Sequence, residues 1–217
     1  WAFEEANNPD GFILESHPYG IAAGPDGWLY VADAGANTLL RVNPATGDIE
    51  LVAAFTEGFP GGFPNPNREG AVEADPVPTA VVVDEDGTAF VAFLTGAPFI
   101  PGTAKVMQLS PEGELSDYAT GLTTLTDLQR GPDGELYAVQ FGIFGEQGPD
   151  PTTGAIIRVH EGGASEVIAS GLPFPTGIAF DEAGNGYVTV FGVGAPGSGA
   201  VVRFDGMTEM AGEPLPM

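Results

Sequence analysis

One motif recurs four times along the chain, and its spacing limits the folds that the chain can adopt. Each copy begins with a short apolar stretch, turns at a glycine and resumes as an alternating apolar strand. The copies start 60, 47 and 50 residues apart, at Pro18, Pro78, Leu125 and Pro175. A glycine follows each start by nine residues, at Gly27, Gly87, Gly134 and Gly184. This constant spacing predicts a tight turn that accepts no insertion.

Each copy contains four short strands, which we name a to d in chain order. Strand a precedes the glycine turn, strand b follows it, strand c ends at a recurring basic or amide residue, and strand d closes the copy. The recurring residues are Arg41, Gln108, Arg158 and Arg203. A charge repeated once per copy predicts a hydrogen bond or ion pair between copies. Repeats of four short strands with this period are typical of β-propeller blades. The predicted fold is therefore an all-β propeller with four meander blades in this chain and strand a innermost.

The repeat boundaries divide the chain into six parts. These are the tail of a preceding blade at 1–16, blades at 17–55, 77–122 and 123–172, an insertion at 56–76, and a last blade with a C-terminal arm at 173–217. Long loops in compact domains are usually functional or poorly ordered, and both alternatives stay open for the insertion. The acidic and apolar residues of 1–16 predict one helical turn. The segment after Asp205 is expected to add a weak outer strand to the last blade, and Pro214 and Pro216 indicate an extended end.

The strands of a meander alternate in direction, so the a–b turns lie on one face and the b–c connections on the other. We call the second surface the loop face. From the turn glycine to the basic or amide residue the copies differ, with separations of 14, 21, 24 and 19 residues. Loops on a rigid scaffold are where binding is usually built, which predicts a contact surface there. Its candidate residues are Phe59, Phe63, Phe99 and Phe144, and Phe141, Phe174 and Phe191 lie in or beside the same connections.

The charge and composition exclude several function classes. There are 30 acidic and 6 basic residues, for a net charge of −24, so the basic footprint of a nucleic-acid-binding protein is absent and docking on anionic lipid is disfavoured. The absence of cysteine excludes disulfides, thiolate metal sites and cysteine nucleophiles. No apolar run reaches the ~18 residues of a spanning helix, so we expect no membrane span.

Three segments carry a family resemblance: AFEEANNPDG at 2–11, YVADAG at 30–35 and LTGAPF at 94–99. The chain resembles the NHL and SMP-30/strictosidine-synthase class of propellers, and within that class the secreted ScyD/ScyE family. The resemblance implies a six-bladed ring, of which four blades are present here, and a secreted, extracellular or periplasmic location. Two missing blades or a partner chain would close the ring at the open edges, and self-association is a further alternative.

The second residue of each copy is predicted to line the mouth of the central channel. These residues are Tyr19, Thr79, Thr126 and Thr176. In the lactonase relatives a carboxylate or amide at such positions binds a divalent cation. The hydroxyl ring here has no such carboxylate, so no metal or cofactor is expected, with a calcium ion as the alternative. Asp33 and Asp127 are the acidic candidates near the mouth, and bonding to turn amides is their structural alternative.

Two classes of function are compatible with the sequence. The first is a secreted, non-catalytic recognition or scaffold module that acts through its loop face or its exposed blade edges. The second is a lactonase-like or strictosidine-synthase-like enzyme with its active site at the channel mouth. Ser198 lacks the strand–turn–helix context of a nucleophile elbow, and neither His17 nor His160 has an evident triad partner. The sequence therefore favours the first class.

Overall fold

The computed structural model describes residues 1–215, which form one short helix and a series of antiparallel sheets. Helix α1 (Ala2–Asn7) confirms the predicted helical turn. Within residues 1–215 no helix is long and apolar enough to cross a membrane. The first blade consists of β1 (Pro18–Ala23), β2 (Leu29–Asp33), β3 (Thr38–Val42) and β4 (Ile49–Ala54).

The second and third blades have the same order of strands, with a small hairpin before the second blade and another within the third. The hairpin before the second blade is β5 (Phe59–Pro60) with β6 (Glu73–Ala74), and the blade is β7 (Pro78–Val83), β8 (Ala89–Phe93), β9 (Ala104–Leu109) and β10 (Leu115–Leu122). The third blade and its hairpin are β11 (Leu125–Arg130), β12 (Leu136–Gln140), β13 (Phe144–Gly145), β14 (Gly148–Pro149), β15 (Gly154–Val159) and β16 (Glu166–Leu172). Each blade pairs its four strands in chain order.

The fourth blade has three strands, and the tail after it joins the third blade instead. The strands are β17 (Gly177–Phe180), β18 (Gly186–Val190) and β19 (Ala200–Phe204), and the tail forms β20 (Glu213–Pro214). Strand β20 pairs with β16, so the expectation of an outer strand on the last blade is wrong. Two contacts hold the tail against the third blade. Met207 is fully buried, and the guanidinium of Arg158 donates to the carbonyls of Thr208 and Met210 at 3.0 and 3.1 Å. Pro216 lies outside the described residues.

The predicted arrangement of strands and turns is confirmed. The four turn glycines have φ values of 81, 90, 85 and 79°, in the order Gly27, Gly87, Gly134 and Gly184, a region that favours glycine. Strand a of each blade is innermost, because β1 contacts β7, β7 contacts β11, and β11 contacts β17. We call the concave surface lined by these four strands the central groove. Each inner strand begins at the loop face and ends at a glycine turn.

Equivalent positions of the repeat build the three cores between blades. The aromatic residue three positions after the turn glycine, which is Tyr30, Phe90 or Tyr137, lies in the core shared with the following blade. On the opposite side of the sheet, the third residue after each start is buried against the preceding blade as Val81, Leu128 and Ile178. The equivalent Ile21 of the first blade is 64% exposed, and Thr189 and Val201 are exposed on the fourth. The arc therefore has two open flanks.

The recurring arginines form their ion pairs with carboxylates of their own blades. The prediction of ion pairs between blades is therefore wrong for these residues. Register places Arg41 opposite Glu50 and Arg158 opposite Glu166 on the outer strand of the same blade, with N–O distances of 2.6 and 3.3 Å. Arg158 also holds the segment after the fourth blade through the carbonyls of Thr208 and Met210. Arg130, which is not one of the recurring residues, joins the third blade to the second, because its guanidinium donates two 2.7 Å hydrogen bonds to Asp84.

The insertion at 56–76 is structured and packs against the N-terminal segment. Arg68 is buried, donates to Asp75 at 2.9 Å and to the carbonyl of Thr56 at 3.0 Å, and its guanidinium lies 4.6 Å from the ring centroid of Phe12. The Nε and Nη1 donors of Arg68 are paired, whereas its buried Nη2 has no partner among the described residues. These contacts hold the insertion against the N-terminal segment, which favours the ordered alternative.

Candidate functional site at the loop-face end of the central groove

A β-bulge begins the inner strands of the first three blades. The register shifts between Pro18 and Gly20, between Pro78 and Ala80, and between Leu125 and Asp127, which leaves Tyr19, Thr79 and Thr126 as the extra residues. A bulge re-aims the side chains around it. In these three blades, the side chain of the second residue therefore departs from the alternation of a regular β-strand.

Two of the predicted channel-mouth threonines join neighbouring blades. Thr79 is buried, and its hydroxyl donates to the carbonyl of Leu125 at 2.8 Å. Thr126 is buried, and its hydroxyl donates to the carbonyl of Pro175 at 3.3 Å. The expected ring of exposed hydroxyls is therefore wrong for both residues. The half-buried Thr176, next in the series, has its hydroxyl 3.1 Å from that of Thr189 on the open flank.

Tyr19 and Asp127 are predicted channel-mouth residues that lie on two inner strands of the groove. Tyr19 is 54% exposed at the start of β1. Burial of the phenol and, secondly, the negative charge of Asp127 raise the pKa of Tyr19. The two residues belong to the first and third blades, 108 positions apart in the sequence. The charge of Asp127 therefore acts on Tyr19 only because both inner strands line the same groove.

The carboxylate of Asp127 is held by groups of two blades. It accepts hydrogen bonds from the backbone N–H of Ile178 at 2.9 Å, from that of Leu128 at 2.8 Å, and from the side-chain amide of Gln129 at 3.3 Å. Burial raises the pKa of Asp127, and these three donors oppose the rise. A fixed carboxylate with a raised pKa is suited to taking a proton from a water molecule.

Asp33 has a structural role. It is buried at the end of β2 and accepts hydrogen bonds from the hydroxyl of Ser16 at 2.6 Å and the backbone N–H of His17 at 2.7 Å. The N–H groups of Gly35 and Ala36 complete its set at 3.2 and 3.1 Å. Two of these donors lie just before β1 and two in the connection between β2 and β3, which agrees with the structural alternative for this residue.

The described residues contain no cluster of acidic or histidine side chains for a metal ion. In residues 1–215 no group of three or more His, Cys, Asp or Glu side chains is arranged to hold one. Asp127 already uses both of its oxygens as acceptors, from the backbone N–H groups of Leu128 and Ile178.

The candidate phenylalanines divide into one buried residue and three on the loop face. Phe59 is 5% exposed and packs on Phe93, with the ring centroids 5.4 Å apart, so the expectation that it belongs to a contact surface is wrong. Apolar packing against the first two blades buries the start of the insertion. Phe63 is 51% exposed. The rings of Phe99 and Phe144 lie 4.3 Å apart, although 45 positions separate them in the sequence.

A continuous row of rings extends from this pair, and we call it the aromatic strip. Phe141 lies 6.2 Å from Phe144 and 5.3 Å from Phe174, with near-parallel rings. The strip thus comprises Phe99, Phe144, Phe141 and Phe174. Ile143 and Val193 add exposed apolar surface to the loop face and were not predicted, because aliphatic residues in a β-rich sequence are usually core residues.

The family model for the SMP-30/gluconolactonase/LRE-like region matches residues 20–190. The chain belongs to this family. No curated protein matches the chain.

Solved structures with the SMP-30/gluconolactonase-like fold cover most of the chain at low identity. A gluconolactonase of Xanthomonas campestris has a TM-score of 0.61 and 19% identity, over 94% of this chain and 63% of that one. Regucalcin of Agrobacterium tumefaciens, a calcium-binding protein, has a TM-score of 0.56 and 16% identity over 94% and 62% of the two chains. A chain of the nidogen/laminin complex has a TM-score of 0.56 and 16% identity over 87% and 65%. The chain therefore spans less than two thirds of the length of each.

Proposed function

We propose that this protein is a lactone hydrolase that acts at the loop-face end of the central groove. The observation that carries the proposal is the carboxylate of Asp127, which three hydrogen bonds hold on an inner strand of the groove and whose pKa is raised by burial. The half-exposed phenol of Tyr19 lies at the start of another inner strand of the same groove. Membership of the SMP-30/gluconolactonase-like family supports a lactone as the substrate. The sequence alone favours a non-catalytic module, and this proposal reverses that preference.

The chemistry assigned to the two residues is hydrolysis by a water molecule. The ionised carboxylate of Asp127 takes a proton from the water as its oxygen attacks the lactone carbonyl. The phenol of Tyr19 donates a hydrogen bond to the carbonyl oxygen as negative charge develops there. The ring C–O bond then breaks, and the leaving alkoxide accepts the proton held by Asp127. Lactone and water thus give a hydroxy acid, with no oxidant or reductant.

The open flanks imply further structure in the working protein. By the pattern of Thr79 and Thr126, the hydroxyl of Thr176 would donate to a carbonyl at the start of another inner strand. The proposed occupants of the flanks are further blades of the same polypeptide or a partner chain, as the length of the relatives suggests. We also propose that the protein is of the ScyD/ScyE type within the family. We further propose that it is secreted to the periplasm or the medium.

The test uses the full-length protein and a panel of sugar and aromatic lactones, with and without added calcium. Hydrolysis should rise with pH through the pKa of Asp127, because only the ionised carboxylate accepts a proton. Asp127→Asn should lower kcat/KM by about 10²–10⁴-fold, and Tyr19→Phe by about 10²-fold. Asp117→Asn, on the outer strand of the second blade, is the matched control and should retain activity. Absence of turnover by the folded protein, or full activity of Asp127→Asn, would reject the proposal.

A second candidate function is non-catalytic recognition through the loop face. The aromatic strip favours it, because apolar patches on soluble proteins often mark interaction sites. The related fold occurs in a nidogen/laminin complex, so lactone hydrolysis is not the only use of such an arc.

A further inference from the structure

We infer that the aromatic strip of the loop face binds a planar aromatic cation. This inference deepens the second candidate function, recognition through the loop face, and it is independent of lactone hydrolysis at Asp127. It depends on three properties of the strip: the arrangement of its rings, the backbone that presents them, and the charges around them.

The rings come from three blades and form one surface. Phe99 lies in the loop between β8 and β9, Phe141 and Phe144 follow β12, and Phe174 precedes β17. Neighbouring centroids are 4.3, 6.2 and 5.3 Å apart, with interplanar angles of 31, 27 and 27°. Phe141 is buried, whereas Phe99, Phe144 and Phe174 are partly exposed. Near-parallel, partly exposed rings offer π faces on which a flat ligand can stack.

The backbone presents two of these rings from a disfavoured conformation. Phe99 and Phe174 have φ values of 59 and 48°, in the left-handed region that bulky side chains rarely adopt. The exposed Phe191, beyond Phe174 on the same face, has a φ of 56°. The equivalent residues before the second and third inner strands, Val77 and Thr124, have φ values of 49 and 41°, so the conformation of Phe174 belongs to the repeat. Phe99 and Phe191 adopt it outside that repeat position, and strained residues of this kind concentrate at ligand sites. The loop face thus holds several aromatic side chains at backbone positions where a smaller residue would be expected.

The charges near the strip exclude an anionic ligand. All six basic residues of the sequence are paired with carboxylates, namely Arg41, Arg68, Lys105, Arg130, Arg158 and Arg203. No described basic side chain is therefore available for an anion at the strip. Glu146 follows Phe144 in the exposed turn between β13 and β14. Beyond this hairpin, hydrogen bonds from Thr152 lower the pKa of Asp150, which keeps it ionised at neutral pH.

Ring faces and carboxylates together select the ligand class. A cation over an aromatic face is attracted by the ring quadrupole, and the net charge of −24 raises the local concentration of cations. A flat aromatic cation matches both the rings and the charge, and it should bind more tightly than a neutral or anionic molecule of the same shape.

The test compares three probes of one shape on the 217-residue chain. These are 1-naphthylmethylammonium, neutral 1-naphthalenemethanol and anionic 1-naphthylacetate, each titrated by calorimetry at low and at high salt. We expect the cation to bind at least ten times more tightly than the anion, with an advantage that shrinks as salt increases. Equal affinities for the three probes would overturn the inference.

Variants locate the site and separate it from the groove. The double variant Phe99→Leu/Phe144→Leu, which keeps apolar volume, should weaken cation binding at least fivefold, and Phe204→Leu, in the core between blades three and four, is the matched control. Glu146→Gln should reduce the preference for the cation while leaving the neutral probe unaffected. If the double variant does not fold, the unaltered protein serves instead. Saturation transfer between the probe and the rings of Phe99 and Phe144 would then locate the site at these rings. Absence of this transfer would reject the site. Asp127→Asn should bind all three probes normally, so loss of lactone hydrolysis and loss of this site are distinguishable.

Discussion

The hydroxyl of Thr79 donates a 2.8 Å hydrogen bond to the carbonyl of Leu125, across the boundary between the second and third blades. Both groups are buried, and a valine at position 79 would leave the carbonyl without this donor. We expect Thr79→Val to lower the free energy of unfolding by about 1–3 kcal/mol, measured by urea titration. Thr176→Val is the same substitution on the open flank. It should lower the free energy of unfolding by less than about 0.5 kcal/mol. Equal costs for the two variants would contradict this role of Thr79.

Gly20 and Gly177 occupy the same position of the repeat, but only Gly20 is crowded. A Cβ at Gly20 would overlap the carbonyl of Thr79 and lie 2.8 Å from the Cα of Ala80. At Gly177 the nearest atoms would be the hydroxyl of Thr189 at 3.3 Å and the carboxylate of Asp127 at 3.5 Å. Gly20→Ala should therefore destabilise the protein by about 1–3 kcal/mol. Gly177→Ala should be close to neutral in the same unfolding experiment, and a comparable loss there would refute the explanation by steric overlap.

Phe59 and Phe63 lie four residues apart in the insertion and differ in burial. Phe59→Ala removes a ring that packs on Phe93 in the core between the first two blades, and we expect a loss of about 3–5 kcal/mol. Phe63→Ala removes a ring that is half exposed, and we expect a change within about 0.5 kcal/mol. Calorimetric unfolding of both variants checks the assignment. A stable Phe59→Ala protein would mean that this part of the core does not depend on the ring.

Glu4 predicts an unusual pH dependence of stability. Its side chain is buried, its Oε1 has no hydrogen-bond partner among the described residues, and burial together with the charges of Asp10 and Asp33 raises its pKa above the ordinary 4.5. Because the folded pKa lies above the unfolded one, ionisation costs stability as pH rises above 4.5 and the cost is complete once pH exceeds the folded pKa.

Replacement by glutamine removes this cost. Glu4→Gln should raise the melting temperature at pH 7 relative to the parent, and the difference should vanish below about pH 4, where the carboxyl is protonated in both states. Glu5→Gln changes an exposed residue of the same helix and should have no such pH-dependent effect. A melting temperature for Glu4→Gln that falls below the parent at pH 7 would show that the carboxylate is stabilising.

The repeat in the sequence was sufficient to predict the blades. Gly27, Gly87, Gly134 and Gly184 mark turns whose conformation is local, because a left-handed backbone favours glycine whatever surrounds it. The period of two in a strand is also local, because successive side chains point to opposite faces of the sheet. These features placed strand a innermost and the variable connections on one face, and the structure confirms both. The phenylalanines of the loop face were found by the same reasoning, since loop residues can be recognised once the strands are known.

Features that depend on contacts between distant residues were decided only by the tertiary structure. The sequence does not reveal that a bulge turns Thr79 and Thr126 into the boundary between blades, because a bulge changes the direction of side chains without a distinct residue pattern. Nor does it reveal that Phe59 is buried while Phe63 is exposed, or that the tail pairs with β16 instead of completing the fourth blade. The contact of Phe99 with Phe144 and the position of Tyr19 and Asp127 on one groove likewise depend on how whole blades pack against each other. No single position of the sequence encodes that packing.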